Sequence, residues 1–265
     1  MEQKWPARLA HGAWRGLREA AGGIIALSIP GGCRVCERLL EEPSRLPICP
    51  ECLASFRPLH EPLCQLCGRQ MVPGAQIGAQ GPVCALCRRG VYGFDVARSY
   101  AAYDDALLLA VVLLKQEAIR PLAAWFAARL EEVVRKDGGR LAADVVVPVP
   151  LHPDRRRERG HNQAEMLAQA LARRLGLPLE PRALVRGKPR PAKLKLSRHE
   201  RWSAARGAYA AAPVSRIDKR RVLLVDDVFT TGATLDACAR ALRTSGASRV
   251  AALTVARVVD AWPVA

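Results

Sequence analysis

The chain has 265 residues, half of them hydrophobic, and its 41 basic and 25 acidic residues give a formal charge of +16. The apolar content excludes a largely disordered chain, and the length suits one domain of ordinary size plus a smaller appendage. The basic excess suits a polyanionic partner such as pyrophosphate or nucleic acid.

Residues 1–32 contain Trp5, Trp14, several basic residues and a short apolar run, GGIIALSI. The run is well short of the ~20 apolar residues that span a bilayer, and Pro30-Gly31-Gly32 offers no cleavage site. The segment therefore reads as an amphipathic helix rather than a transmembrane segment or a signal peptide. Metal-type cysteine spacing without an export signal predicts a cytoplasmic location, peripheral at the inner membrane where partners hold it there.

Eight of the nine cysteines form four Cys-x-x-Cys pairs: Cys33/Cys36, Cys49/Cys52, Cys64/Cys67 and Cys84/Cys87. Such a pair on a tight turn directs both sulfurs at one metal, and two pairs complete a tetrahedral site. Sequential pairing is the simplest assignment, and an interleaved one uses the same residues. Redox disulfides and iron–sulfur ligation compete, but four repeated pairs without a thioredoxin-like context favour structural zinc. With few apolar residues between the pairs, metal is expected to hold a module over 33–92 together. Its glycine-rich stretch 70–82 reads as a loop.

From Phe94 the texture changes, and a second domain is expected over 93–265. FDVARSYAAY (94–103) reads as a strand, followed by helices over 104–116 and 121–135. The second helix has Pro121 in its first turn and core positions at Leu122, Trp125, Phe126 and Leu130. DVVVPV (144–149) reads as a central strand running into a basic turn with Arg155, Arg156, Arg157 and Arg159, then a helix from about Asn162 to Leu175. Such a charge run is ordinarily solvated. At the carboxyl end of a central strand it would face the ligand crevice, which makes Arg155, Arg157 and Arg159 candidate anion-binding residues. His161, Asn162, Gln163 and Glu165 are read as orienting the turn or capping the helix, and His161 is not read as a catalytic base.

Residues 182–206 hold nine basic residues against the single acid Glu200. Their prolines and glycine predict an extended, mobile first half. Lys188, Lys193 and Lys195 could there neutralise a departing pyrophosphate or track a DNA backbone. Trp202 is read as core at the start of a helix in preference to a platform for stacking on a base.

The domain is organised around residues 222–235, VLLVDDVFTTGATL. Four apolar residues make a buried parallel strand, Asp226 and Asp227 stand at its carboxyl end, and Thr230, Thr231, Gly232, Ala233 and Thr234 turn into a helix. Hydroxyls and free backbone N–H groups at a helix start suit a phosphate monoester. Paired acids beside them suit vicinal hydroxyls, or Mg²⁺ bound to those hydroxyls. No Gly-Lys-Ser/Thr or GxGxxG pattern is present. Residues 248–258 read as the next parallel strand, and Cys238 as a buried thiol.

The 222–235 stretch resembles the phosphoribosyl-pyrophosphate (PRPP) motif of type I phosphoribosyltransferases. Together with VPVPLHPDRRRERGHNQAEMLA, LSRHERWSAARGAY and the leading Cys-x-x-Cys pairs, in the same order, it resembles the ComF family of competence-related proteins from about Cys33 to the end. The resemblance implies an α/β fold: a type I phosphoribosyltransferase-like parallel sheet flanked by helices, with a small N-terminal zinc module. It also implies a role in DNA uptake during natural transformation, with single-stranded DNA and proteins of the uptake machinery as partners. The chain departs from the family pattern at His161, where an aromatic is usual, and at Lys193 and Lys195, where Thr-x-x-Gln is frequent. Two alternatives stand beside DNA uptake: a catalytic phosphoribosyltransferase of nucleotide salvage, with Asp226 and Asp227 holding the diol, and a PRPP sensor without turnover. No residue identifies an acceptor base.

Overall fold

The computed structural model describes residues 31–40, 44–71, 77–78, 81–189, 196–213 and 216–259. The helix expected over 1–32 lies outside these as far as residue 30, as do Lys193 and Lys195. The chain divides into two compact units, Met1–Ala54 and Ser55–Ala265. The expected 33–92 module therefore spans the division.

The first unit carries Cys33, Cys36, Cys49 and Cys52, with a short helix, α1 (Pro50–Ala54), across the second pair. In the second unit Cys64, Cys67, Cys84 and Cys87 share one buried core with Val145, Leu224 and Val250. Helix α2 (Ala85–Arg88) holds the last cysteine pair. The glycine-rich stretch expected as a loop contains a two-residue antiparallel pair, β1 (Ile77–Gly78) with β2 (Gly81–Pro82).

The second unit is built on four parallel strands. These are β3 (Val96–Ala102), β4 (Val145–Pro148), β7 (Arg221–Phe229) and β8 (Arg249–Arg257), in the order β3-β8-β7-β4. The inner pair β7 and β8 is buried on both faces, which is why its sequence is a continuous apolar run and not an alternation. Helix α8 (Ala233–Thr244) packs Leu235, Cys238 and Leu242 with Val222 and Leu224 on one face. Helix α3 (Asp105–Glu117) follows β3. Helices α4 (Arg120–Lys136) and α6 (Gln163–Leu175) pack on each other, and α6 lies against β7 and β4.

Three expectations are corrected here. Strand β4 is not central: it closes the four-stranded order, and among the described residues only the 178–180 segment lies beyond it, where Val146 donates to Pro178 O and Glu180 donates to Val146 O, each at 2.9 Å. Its apolar run reports burial, which α6 and that segment supply, and not the number of paired neighbours. The basic run is not a turn but a helix, α5 (Pro153–Arg159), because Pro153 opens it, the His152 side chain accepts the Asp154 N–H, and Gly160 ends it in the left-handed region. The extended stretch after residue 182 is partly paired: β5 (Leu184–Arg186) runs antiparallel to β6 (Tyr209–Ala211), with α7 (Arg198–Ala205) preceding β6. Among the described residues no helix is long and apolar enough to cross a membrane.

A buried ion pair ties the second cysteine cluster to the sheet. Arg98 on β3 and Asp137 at the end of α4 are 5% and 6% exposed. Arg98 Nε donates to Asp137 Oδ1 at 2.7 Å, and its two terminal nitrogens donate to the Gln65 carbonyl at 3.1 Å. Removing one member of such a pair strands the other charge. Asp137→Ala is expected to lower unfolding stability by about 3 kcal/mol in urea titration, and the double change Arg98→Met/Asp137→Leu to recover most of that loss.

Candidate functional site

Near its carboxyl end, two residues before Phe229 closes it, strand β7 carries Asp226 and Asp227, 8% and 6% exposed. Two adjacent carboxylates at that burial need compensation. Asp227 obtains it from two elements far away in the chain: Lys115 Nζ, near the end of α3, lies 3.2 Å from its Oδ2, and Gln163 Nε2, in the first turn of α6, donates to the same oxygen at 2.9 Å. Arg159 donates to Gln163 Oε1 at 2.8 Å, so the basic helix α5 connects to the acid pair through that glutamine. Asp226 Oδ1 accepts the Asp227 N–H at 2.9 Å. Burial, and then the neighbouring Asp227 charge, push the Asp226 carboxyl up to about 8; Lys115 and Arg186 oppose that rise.

The 162–165 tetrad has a division of labour. Asn162 caps α6 by accepting the Ala164 N–H and donates to the Val149 carbonyl at 3.0 Å, fixing the helix start to the end of β4. Gln163 holds Asp227, and Glu165 pairs with Arg156 at 3.0 Å. His161 lies with one ring nitrogen 2.9 Å from the Arg159 carbonyl and the other 3.1 Å from the Leu114 carbonyl. It joins the basic helix to α3, next to Lys115.

The loop after β7 passes Thr230 and Thr231, half-buried, and reaches Gly232 at φ +83 before Ala233 and Thr234 open α8. Glycine is required there twice over. The left-handed backbone disfavours a side chain, and a Cβ would lie 2.5 Å from the Tyr92 ring and 2.6 Å from the Phe229 ring. The Thr231 hydroxyl accepts the Ala233 N–H at 3.4 Å, and the Tyr92 hydroxyl donates to the Thr231 carbonyl at 3.2 Å. Hydroxyls, first-turn N–H groups and the positive end of α8 thus follow the acid pair within seven residues of chain, a set of groups whose chemistry suits a phosphate at one end and a diol or a divalent cation at the other.

The remaining candidate cations divide. Arg155 and Arg157 are exposed and pair within their own helix, with Glu158 at 3.3 Å and with Asp154. Lys188 is exposed and donates to the Arg206 carbonyl at 3.4 Å. Three residues near the acids or the loop were not singled out from sequence: Lys115, Arg186 and Tyr92. Beside the loop, a groove of 730 Å³ runs along α8 from Ala233, lined among others by Trp202, Tyr209, Arg206 and Arg240. Trp202 also stacks on Tyr92, with centroids 6.0 Å apart.

The cysteines separate into two groups, Cys33, Cys36, Cys49 and Cys52, and Cys64, Cys67, Cys84 and Cys87, with all sulfurs of a group within 4.8 Å of one another. This is the sequential assignment. A tetrahedral site with metal–sulfur bonds of about 2.3 Å has sulfur–sulfur edges of about 3.8 Å. Cys36–Cys49 and Cys67–Cys84 both lie at 3.7 Å, so the donor set fits structural zinc. The two groups repeat one another bond for bond: Cys49 N donates to Cys33 Sγ and Cys84 N to Cys64 Sγ, each at 3.3 Å. Cys33 N donates to Arg38 O and Cys64 N to Arg69 O, each at 2.7 Å. Glu37 and Gly68, in equivalent places, are both left-handed, at φ 63 and 66.

A parallel sheet whose inner strand delivers two buried acids to a hydroxyl-rich helix start defines a phosphoribosyltransferase-type domain, and residues 161–262 match the family model described as Phosphoribosyl transferase domain. The chain is 30% identical over 230 residues to DNA utilization protein YhgH of Salmonella typhi, covering 85% of this chain and 90% of that protein. It is 36% identical over 115 residues to Competence protein F of Haemophilus influenzae, a match spanning 43% of this chain and half of that protein. It is 26% identical to Competence protein ComFC of Streptococcus pneumoniae, covering 79% of this chain and 87% of that one. With a duplicated four-cysteine motif ahead of a phosphoribosyltransferase-type domain, the chain belongs to the ComF family of competence-related proteins.

The raised carboxyl of Asp226 has a stability consequence with a defined sign. Between pH ~4, where an unfolded aspartate ionises, and pH ~8 the folded state holds a proton that the unfolded state has lost, so stability falls as pH rises through that window. Asp226→Asn keeps an oxygen to accept the Asp227 N–H and does not titrate. Its stability relative to the parent is expected to rise from pH 4 to pH 8 by on the order of a few kcal/mol, read from urea midpoints across the series.

Proposed function

We propose that this chain binds PRPP with Mg²⁺ at the end of β7 and works in DNA uptake, where it handles single-stranded DNA on the cytoplasmic side together with the uptake machinery. The observation that carries the first part is the buried pair Asp226 and Asp227 within the last four residues of β7, with the hydroxyl-bearing loop 230–232 leading from that strand into α8. In this reading Thr230, Thr231, Gly232, Ala233 and Thr234 hold the 5′-phosphate, and the acids hold the ribose diol or the Mg²⁺ on it. Lys115 and Arg159, joined to Asp227 directly and through Gln163, stand where negative charge on the pyrophosphate would be met. Turnover would form a bond from an acceptor nitrogen to C1 as the C1–O bond to pyrophosphate breaks, assisted by position and charge.

The DNA part rests on kinship with competence and DNA-utilization proteins, on the charge of +16, and on a groove that combines half-buried Trp202 with Arg206 and Arg240. An aromatic face beside cations suits a stacked base and a backbone.

Calorimetric titration of PRPP and Mg²⁺ into the zinc-loaded chain tests the first part. Saturable binding is expected, tightening as pH rises toward 8 because Asp226 gives up its proton on binding, and lost by at least ~10-fold in Asp226→Asn/Asp227→Asn. No binding to the parent chain at any pH would overturn it. Pyrophosphate release across a panel of bases then separates an enzyme from a sensor. For the second part, single-stranded DNA affinity is expected to fall steeply with salt. Neutralising Lys188, Lys193 and Lys195 should reduce the log–log salt slope by about 2 if all three meet phosphates; an unchanged slope removes that segment from the DNA path.

A further inference from the structure

The second cysteine cluster is built into the walls of the 230–234 loop. Arg257, at the end of β8, is 2% exposed. Its guanidinium donates to the Cys67 carbonyl at 2.6 Å, reaches Cys67 Sγ at 3.6 Å, and lies 3.9 Å from the centroid of the Phe229 ring. Phe229 meets Tyr92 and Phe94 edge-on at 5.9 and 6.0 Å, and Tyr92 stacks on Phe94 at 4.7 Å. The Phe229 and Tyr92 rings are the surfaces against which Gly232 is seated, and the Tyr92 hydroxyl holds the Thr231 carbonyl. The segment leading from the cluster to β3 is also fastened to α8: Gly93 N donates to Asp236 Oδ1 at 2.7 Å, and Arg243 Nε donates to Gly93 O at 2.9 Å.

From this chain of contacts we propose that Arg257 and Tyr92 are positioning residues through which metal at Cys64, Cys67, Cys84 and Cys87 sets the geometry of the phosphate loop. Four thiolates on a divalent ion carry a net charge of about −2, which is the counter-charge available to a guanidinium buried beside Cys67. Loss of the metal removes the ion that holds the four sulfurs together, and Arg257, bonded to the Cys67 carbonyl and packed on the Phe229 ring, follows the Cys67 turn as it relaxes. Phe229, under its face, moves with it, and the seat of Gly232 opens. The first cluster, in the separate compact unit Met1–Ala54, has the same ligand chemistry and provides the control. The ligand half of this inference rests on the loop being the PRPP phosphate site; the geometric half does not.

The test uses the full-length zinc-loaded chain and hydrogen exchange of the 229–236 amides, with metal content measured alongside. Cys84→Ser and Cys36→Ser each remove one metal equivalent, and Tyr92→Phe removes only a hydroxyl. Exchange in 229–236 is expected to rise about 2–10-fold in Tyr92→Phe, the worth of one hydrogen bond, and at least as much in Cys84→Ser, with the β8 amides unchanged. Cys36→Ser should leave the loop as in the parent. PRPP affinity should fall by a similar factor in the first two variants. By reciprocity PRPP should slow chelator extraction of one of the two metal equivalents, and Arg257→Lys should abolish that protection.

Loop exchange in Tyr92→Phe and Cys84→Ser indistinguishable from that in Cys36→Ser would overturn the proposal. If Cys84→Ser does not fold, Tyr92→Phe and Arg257→Lys, both expected to retain two metals, decide it alone. A loop that loosens as expected in a chain that binds no PRPP would sustain the positioning role and reject the PRPP reading.

Discussion

Burying two neighbouring carboxylates within the last four residues of a central strand is the constraint around which the second unit is arranged. Each charge taken out of water is unfavourable unless something answers it, and two side by side oppose each other as well. Asp227 is answered by the ammonium of Lys115 and the amide of Gln163, while Asp226 keeps its proton up to about pH 8. Meeting that demand brings the end of α3 and the start of α6 to the same point, and Asn162 then fixes α6 to the end of β4. Burial of the acids and the placement of two helices are one arrangement. A ligand bringing its own cation or hydroxyl groups would replace compensation that the chain supplies from its own side chains.

The cysteine clusters illustrate how one local motif acquires two contexts. Both use the same turn, the same N–H to sulfur bonds and the same helical second pair. Cluster one sits in a compact unit of its own. Cluster two shares a core with the sheet, and a guanidinium buried to 2% exposure joins its sulfur to the aromatic wall of the loop after β7. Apolar packing alone would give that wall a shape; the charged contact also makes the shape answer to what the sulfurs hold.

What could be read from sequence was local, and what could not was brought together from a distance. The acids of 226–227 and the 230–234 turn are contiguous, so strand, acids and helix start were legible together. The cysteine spacing likewise foretold two groups of four, although only the fold distinguishes sequential from interleaved pairing. Lys115 was not legible as a partner of Asp227, because it stands near the end of a helix that is apolar on its exposed face as well as its buried one, and Arg186 and Tyr92 carry no local signal. The density of arginines in 153–159 suggested a turn, although Pro153 and Gly160 are helix boundary signals that could have been weighed against it. Strand β4 reads as central in the sequence because complete burial looks alike whether a strand or a helix provides it.

The left-handed residue in the two cysteine turns is where their equivalence ends. At Gly68 a Cβ would lie 2.7 Å from the Ala97 carbonyl, because Leu66 O accepts the Ala97 N–H at 2.6 Å and brings the turn against the edge of β3. Its counterpart Glu37 bears a full side chain in the same backbone conformation at a cost of about 1 kcal/mol. Exchange between the copies therefore has a direction. The glycine-bearing sequence could be grafted into the first turn and would relieve a strained torsion there, whereas the glutamate-bearing sequence could not enter the second without lifting it from the strand. Sequence traffic between the two repeats, by recombination or by design, should flow one way.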